Sequence, residues 1–291
     1  MTRFQKLERS KAMHYGISIP NFGEYSEPRL LAELAHEAEA AGWEGFFLWD
    51  HIVWPWHATV ADPWVALAAV AMRTERLRLG TMVTPLPRRH PWKLARETVT
   101  LDHLSEGRLL LGVGLGGFPQ EEFEAFGETG DDRVRAAKLD EGLEVLTGLW
   151  SGAPFSYHGT QYRVHNVHFT PSPVQQPRIP IWVAGTWPIK APFRRAARWD
   201  GVVPTSRDVA RSLTPTEIHD LLAYIKTQQT IPAVFDVVHG GQTPGRDTGE
   251  DADSVAPYAE AGVTWWLEAR LPWVNSFAEV RERIRKGPPK R

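Results

Sequence analysis

Asp50 and His51 are two adjacent residues that could carry out proton chemistry. They follow directly on the apolar run GFFLW, and three tryptophans, Trp49, Trp54 and Trp56, lie within the same dozen residues. Histidine is the side chain that ionises nearest neutral pH, so His51 suits a general acid or base. The alternative is that Asp50 caps a local turn, His51 is a surface residue and the tryptophans plug a core.

Three further segments place small or hydroxyl residues where apolar runs end: GTMVT (80–84), GVGLGG (112–117) and AGTW (184–187). Glycines there would let a ligand approach the backbone closely. Thr186, just before a predicted helix, fits an anion site at a helix N-terminus. Ordinary turns and a helix cap by Thr186 are the alternative readings. GVGLGG matches the dinucleotide fingerprint only loosely and lacks the Lys-Ser/Thr of a P-loop.

Several other classes of function find no support in the sequence. The chain has no cysteine, which excludes disulfides, thiol nucleophiles and cysteine-ligated metals. His158, His165 and His168 do not have the spacing of a zinc motif, so we expect no metal site. There is no GxSxG elbow, which leaves a serine hydrolase little support. A net charge of -2 and short apolar runs predict neither nucleic-acid nor membrane binding.

Apolar runs alternate with segments of helical periodicity along most of the chain. The predicted strands are 14–20, 45–49, 76–84, 108–117, 179–185, 199–205, 232–238 and 262–270. The predicted helices are 27–42, 62–74, 90–107, 131–150, 190–198, 215–226, 252–261 and 276–286, and a hairpin-like segment spans 155–177. Such alternation implies parallel strands with crossover helices, either a closed (β/α)8 barrel or an open doubly wound sheet.

We predict the α/β class and a single-domain (β/α)8 TIM barrel over residues 13–291. The first and last strands are as apolar as the middle ones, whereas an open sheet would need two more polar edges. Residues 1–12 are polar, lack the apolar core of a secretory signal and are expected to be an extension of a cytoplasmic protein. In such barrels the reactive groups lie at the C-terminal ends of the strands. We therefore expect Asp50, Val83, Gly114 and Gly185 at one mouth.

Four segments together resemble the bacterial luciferase-like family of flavin and deazaflavin oxidoreductases. They are GFFLWDHI, the forty residues from RLRLGTMVTPLPRRHP to GVGLGG, the helix RVRAAKLDEGLEVLTGLW, and IPIWVAGTWP with RRAARWDGVVP. The resemblance is clear over 14–205 and weaker towards the C-terminus. It implies a (β/α)8 barrel that binds F420 or FMN at its C-terminal mouth and catalyses hydride transfer or monooxygenation.

The resemblance also implies roles for single residues. Asp50 and His51 would lie beside the reactive ring, with His51 handling the proton and Asp50 orienting the imidazole or fixing the turn. Met82 and Val83 match a bulge with a non-proline cis peptide behind the ring. The implied cofactor-binding set is Asp50, Thr81, Met82, Val83, Gly114, Gly116, Gly117, Ala184, Gly185, Thr186 and Trp187. Trp49, Trp54 and Trp56 would wall the substrate pocket.

Two details of the sequence narrow the function. Family members that oxidise sugar phosphates carry a glutamate proton donor where this chain has Gly117, which argues against such a substrate. Asp-His, rather than the Glu-His of many FMN monooxygenases, favours F420-dependent hydride transfer to or from a small organic substrate. An FMN-dependent monooxygenase and a non-catalytic flavin-binding barrel are the alternatives. The expected partners are the small-molecule substrate, a second copy in a homodimer and, if FMN is used, a flavin reductase.

Overall fold

The computed structural model describes residues 13–208, 211–228, 234–246, 249–269 and 273–290, and eight of its strands form a closed barrel. The strands are β1 (His14–Ile19), β2 (Gly45–Leu48), β3 (Arg78–Pro85), β4 (Leu109–Gly114), β5 (Pro154–His158), β6 (Arg163–His168), β7 (Ile181–Trp187), β8 (Gly201–Ser206), β9 (Asp236–Gly241) and β10 (Trp265–Ala269). Around the barrel β4 neighbours β7, and β10 pairs with β1 in parallel to close the ring. The predicted (β/α)8 barrel is confirmed, and the open sheet is wrong.

Helices follow the barrel strands and form the outer layer. They are α1 (Pro28–Ala40), α2 (Pro63–Arg73), α3 (Pro91–Leu104), α4 (Pro119–Glu122), α5 (Asp132–Trp150), α6 (Lys190–Ala196), α7 (Pro215–Lys226), α8 (Glu250–Ala261) and α9 (Phe277–Arg285). Their starts follow the local chemistry of the sequence. The Asp62 carboxylate accepts the backbone N–H groups of Trp64 and Val65, and Pro63 occupies the first helical position of α2, as expected.

The hydrophobic core has two parts, because successive side chains of each strand point to opposite faces. The part inside the barrel is formed by Phe47, Leu110, Trp182, Val238, Trp265 and Leu267, with Met82 and Val203 against it. The larger part fills the space between strands and helices. The bulky rings of Phe47, Trp182 and Trp265 fill much of the barrel interior.

Two departures from the regular alternation of strands and helices occur. β5 and β6 form an antiparallel hairpin outside the barrel, as predicted. The single turn α4 was not predicted, because four helical residues are too few to show a period.

Residues 1–12, 232–233 and 270, which belong to a predicted extension and two predicted strands, lie outside the described residues. No helix in the described part is long and apolar enough to cross a membrane.

Candidate functional site

The C-terminal ends of the parallel strands open on one cavity. Its volume is about 510 Å³, within the range of small-molecule sites, and it is framed by β1, β3, β7, β8, β9 and β10. Met82, Val203, Val238 and Leu267 form its apolar part. Thr186, Thr205, Ser206, Arg207 and Ser212 line its polar side. Of the residues expected to bind a cofactor, Met82 and Thr186 thus line this cavity directly.

β3 is irregular at the point where it borders the cavity. Its register with β4 shifts between Thr81 and Thr84, and the peptide bond between Met82 and Val83 is cis. The predicted non-proline cis peptide is therefore present. The side chain of Thr81, unlike that of Met82, does not line the cavity. It is fully buried, and its hydroxyl donates to the carbonyl of Gly112.

The end of β4 packs closely against its neighbouring strands. A Cβ built on Gly114 would lie 2.9 Å from Val83 Cγ2 and 3.4 Å from Ala184 Cβ. Gly114 therefore lets β3 and β7 approach β4 here, and any larger residue at position 114 would have to displace Val83. Gly117 differs, because a Cβ built there meets nothing within 4 Å. Gly116 has φ of +90°, so the turn after β4 requires its conformation.

Asp50 is buried beneath the mouth, and both oxygens of its carboxylate accept hydrogen bonds from neighbouring side chains. Thr84 Oγ1 donates to Oδ2 at 2.8 Å, Arg88 donates to Oδ1 at 2.7 Å, and Arg89 donates to both oxygens at 2.9 and 3.0 Å. Burial lowers the pKa of Arg89, but the attraction of Asp50 outweighs it and holds that pKa above its usual value. Asp50 was expected either to orient the imidazole or to fix the turn, and these contacts fit the second of these roles.

His51 is oriented by a different carboxylate, that of Glu122 in α4. The imidazole Nδ1 lies 2.9 Å from Glu122 Oε1, which also accepts the backbone N–H of Ile52 at 3.2 Å. Glu122 is fully buried, and its other oxygen accepts from Arg88 Nη1 at 2.5 Å. Since the carboxylate can only accept, it favours a proton on Nδ1 and leaves Nε2 without a hydrogen bond among the described residues.

The backbone of His51 is fixed by Asn21, which follows β1. Asn21 Oδ1 accepts the N–H of His51 at 3.2 Å, and its Nδ2 donates to the carbonyls of His51 at 2.8 Å and of Ala61 at 2.7 Å. Asn21 is fully buried, so this amide acts as a rigid link between the ends of β1 and β2. Both the main chain and the ring of His51 are thereby held in place.

Aromatic side chains surround the His51 ring. The ring centroids of Trp54, Phe22, Phe118 and Trp49 lie 4.9, 5.8, 5.8 and 6.1 Å from that of the imidazole. Trp49 Nε1 also donates to Ser18 Oγ at 3.2 Å, which ties it to the cavity. The three predicted tryptophans are therefore together at the mouth, with Trp56 contacting Trp54 and 71% exposed.

At the end of β7 the predicted residues face two ways. A Cβ built on Gly185 would lie 2.4 Å from Pro192 Cβ of α6, and the Trp187 ring packs on Phe193 and under Lys190 Nζ. Gly185 and Trp187 thus turn towards α6, while Thr186 turns towards the cavity and lies 3.2 Å from Thr205 Oγ1. Thr186 neither caps α6, the alternative reading, nor lies at its N-terminus, where the anion site was expected, because α6 begins at Lys190 with Ile189 as its N-cap.

Three residues that hold His51 and Asp50 were not predicted from the sequence: Asn21, Arg88 and Glu122. Each lies in a connection without periodicity, and only the folded chain brings them to the ring of His51. The available signals were weak: an asparagine directly after a strand, paired arginines after β3, and the two glutamates of FPQEEF after β4. Within the described residues no group of three or more His, Asp or Glu side chains could hold a metal ion.

The fold and the mouth together define a class of protein: a (β/α)8 barrel that has its site at the C-terminal ends of the strands and a cis peptide bond in β3. A family model described as luciferase-like monooxygenase matches residues 13–286, and the chain belongs to this family. The family predicted from sequence motifs is confirmed, and the match extends well beyond the region where those motifs are clear.

Curated relatives include F420-dependent glucose-6-phosphate dehydrogenases. That of Nakamurella multipartita is 34% identical over 215 residues, which are 69% of this chain and 58% of that protein. That of Amycolatopsis mediterranei is 33% identical over 196 residues, which are 66% of this chain and 56% of that protein. The chain thus spans little more than half the length of these relatives.

Solved structures share the fold at low sequence identity. An F420-dependent secondary alcohol dehydrogenase, in complex with an F420-acetone adduct, has a TM-score of 0.76 and 17% identity, with 94% of this chain and 96% of that chain covered. A type II Baeyer-Villiger monooxygenase from Pseudomonas putida, in complex with FMN, has a TM-score of 0.74 and 16% identity with the same coverage. At such identities the likeness concerns the fold alone.

Proposed function

We propose that this protein is an F420-dependent oxidoreductase that transfers hydride between the deazaflavin and a small alcohol or carbonyl compound. One observation carries the proposal. At a mouth whose floor contains the cis peptide of Met82, His51 is held by Glu122 and Asn21 with Nε2 left free. The F420-dependent relatives that are about one third identical support the choice of cofactor.

The residues of the mouth fit a planar ring system. A cavity of about 510 Å³ has apolar walls on one part, formed by Met82, Val203, Val238 and Leu267. We assign the ring to this apolar part of the cavity. Thr186, Thr205, Ser206 and Arg207 would hold the phosphate on the polar side of the cavity, because hydroxyls and a guanidinium are suitable donors to phosphate oxygens.

His51 would move the proton of the reaction. The deazaflavin, when bound, supplies or accepts the hydride at the carbon of the substrate. In the oxidation of an alcohol the hydroxyl proton passes to Nε2, and in the reduction of a ketone Nε2 returns a proton to the oxygen. Glu122 is a positioning residue, because its carboxylate keeps Nδ1 protonated and stabilises the imidazolium that forms.

A flavin monooxygenase is the second candidate function. The family description favours it, since it names a luciferase-like monooxygenase. In that case reduced FMN would occupy the same part of the cavity, a separate flavin reductase would supply it, and molecular oxygen would be required.

Binding and turnover measured side by side distinguish the two functions. The protein is titrated with F420, FMN and their reduced forms, and each loaded form is then mixed with a panel of alcohols and ketones with and without oxygen. We expect F420 to bind more tightly than FMN and alcohol-dependent reduction of F420 to proceed without oxygen. Tight binding of FMN with turnover only in air would overturn the proposal. Tight binding of either cofactor without any turnover would instead support a non-catalytic barrel.

A further inference from the structure

One side of the mouth is a continuous aromatic surface that the reaction chemistry does not require. It consists of Trp54, Trp56, Phe118 and Trp273, which we call the aromatic rim. The ring centroid of Trp54 lies 5.4 Å from that of Trp56, 5.2 Å from that of Phe118 and 6.2 Å from that of Trp273. Trp56 and Trp273 are 6.3 Å apart and nearly perpendicular. Three separate loops therefore contribute to one surface.

The aromatic rim is anchored on its inner side and open on its outer side. Trp54 is buried, with one face stacked on Phe22 at 3.8 Å. By contrast Trp56 is 71%, Trp273 53% and Phe118 39% exposed. Large apolar side chains left together in water are unfavourable, and such a patch beside a cavity is typical of a ligand-binding surface.

The aromatic rim is continuous with the proton-handling group. The His51 ring lies 4.9 Å from the centroid of Trp54 and 5.8 Å from that of Phe118. A molecule whose oxygen bonds to Nε2 would therefore lie close to two rings of the rim, those of Trp54 and Phe118. This contact favours the substrate, rather than another protein, as the occupant of the rim.

Among the residues that the structure describes, the same side of the mouth offers no free cation to a charged substrate. Arg88 and Arg89 are the cations next to His51, and both are held by the buried carboxylates of Asp50 and Glu122. Gly117, which faces open space, adds no polar side chain. A phosphate placed here would lose its water without gaining a partner, which is strongly unfavourable.

We propose that the substrate is an apolar, ring-bearing secondary alcohol or its ketone, whose ring packs on Trp56 and Trp273. This inference rests on the proposed function and adds the chemical class of the substrate. In the oxidation, the C–H bond of the alcohol breaks with its electron pair transferred as hydride to F420. The O–H proton passes to His51 Nε2, so that ketone and reduced F420 are the products.

The first test compares three alcohols with oxidised F420 under anaerobic conditions: 1-phenylethanol, 2-propanol and glucose 6-phosphate. We expect kcat/KM for 1-phenylethanol to exceed that for 2-propanol by at least about 10-fold, since several methylene equivalents are added to an apolar contact. Glucose 6-phosphate should be the poorest substrate. A preference for glucose 6-phosphate, or equal values for the two simple alcohols, would overturn the inference while leaving hydride transfer intact.

The second test changes the aromatic rim. Trp56→Ala and Trp273→Ala should each raise KM for 1-phenylethanol by about 3- to 10-fold, the value of a lost aromatic contact, with little change in kcat. KM for 2-propanol should not change. Trp92→Ala is the control, because Trp92 is also exposed but packs on His90 and Tyr162. Equal effects of all three substitutions would count against the rim.

Two further measurements cover the remaining outcomes. If no alcohol reduces bound F420, the proposed function fails, and the inference is then judged by binding alone. Saturable quenching of tryptophan fluorescence by 1-phenylethanol that is lost in Trp273→Ala would support it, and no quenching would overturn it. Sedimentation velocity tests the other occupant: a dimer that dissociates in Trp56→Ala, with KM unchanged, would assign the rim to a second copy of the chain.

Discussion

His51 is the residue to which we assign the proton chemistry of the mouth, and its neighbours explain how it is held. Glu122 contacts Nδ1, Asn21 fixes the backbone, and Arg88 joins Glu122 to Asp50. Two buried arginines face two buried carboxylates, so the charges are balanced and each is hydrogen-bonded. The pair Asp50 and His51 could be predicted from their position after a strand. Glu122 could not, because it is 71 residues away and no pattern marks its loop.

Substitution of Glu122 by glutamine tests the positioning role. The amide oxygen can still accept from Arg88, but the NH2 group now faces Nδ1 and favours the tautomer that carries its proton on Nε2. We expect alcohol oxidation to slow by about 10- to 100-fold, less than for loss of the base itself, with unchanged cofactor affinity. The pH–rate profile should move to lower pH, because an amide stabilises an imidazolium less than a carboxylate does.

Glu121→Gln is the matched control for this prediction. Glu121 precedes Glu122 in the same short helix but takes no part in the contacts of His51. A purely structural role of Glu122 would appear as a lower Tm with the pH–rate profile unmoved. That result would contradict the positioning role.

At the scale of elements, the end of β4 fixes the bulge in β3, because Gly114 packs closely against Val83. Gly114→Val should displace Val83, and with it Met82 in the cavity lining, and weaken cofactor binding by at least about 10-fold, with a stability cost of about 1–3 kcal/mol from overpacking. Gly117→Val lies in open space and should leave both quantities unchanged. Cofactor titration and thermal unfolding of the two variants check this. Equal affinities in both would place the ring elsewhere.

The positions of the strands and helices were largely predictable, whereas the directions in which single side chains of a strand point were not. Strand and helix segments followed from periodicity, and Asp62 and Pro63 marked the start of α2 as predicted. The segment 184–187 shows the limit of this reading. The sequence does not reveal that β7 continues to Trp187. In this longer strand Gly185 faces α6, and only Thr186 faces the cavity. The phosphate site that we propose therefore consists of Thr186 and its neighbours Thr205, Ser206 and Arg207.

At the scale of the whole molecule, one buried group makes the stability of the barrel depend on pH. His239 in β9 is 2% exposed, stacks on Tyr258 of α8 at 4.5 Å, and has no hydrogen-bond partner among the described residues for either ring nitrogen. Burial lowers the pKa of His239 to about 4. The unfolded chain therefore takes up this proton at higher pH than the folded chain does.

The sign of the effect follows from this difference. Stability is fully present above about pH 6.5, the unfolded value, and falls as the pH decreases towards 4. At pH 5 the loss should be about 2 kcal/mol relative to pH 8, from the proton uptake of the unfolded state. His239→Phe keeps a ring of similar shape and should reduce this dependence. Tm measured for both proteins at pH 8 and pH 5 checks the prediction, and parallel losses would contradict it.

The central claim is that His51 moves the proton of a hydride transfer at this mouth. The most direct measurement mixes reduced F420-loaded protein with acetophenone under anaerobic conditions and follows oxidation of the cofactor in a single turnover. His51→Ala should keep the fold and most of the cofactor affinity but slow this oxidation by about 10²- to 10⁴-fold, whereas His219→Ala, at an exposed position, should not slow it. Rates in His51→Ala equal to those of the wild type would contradict the account.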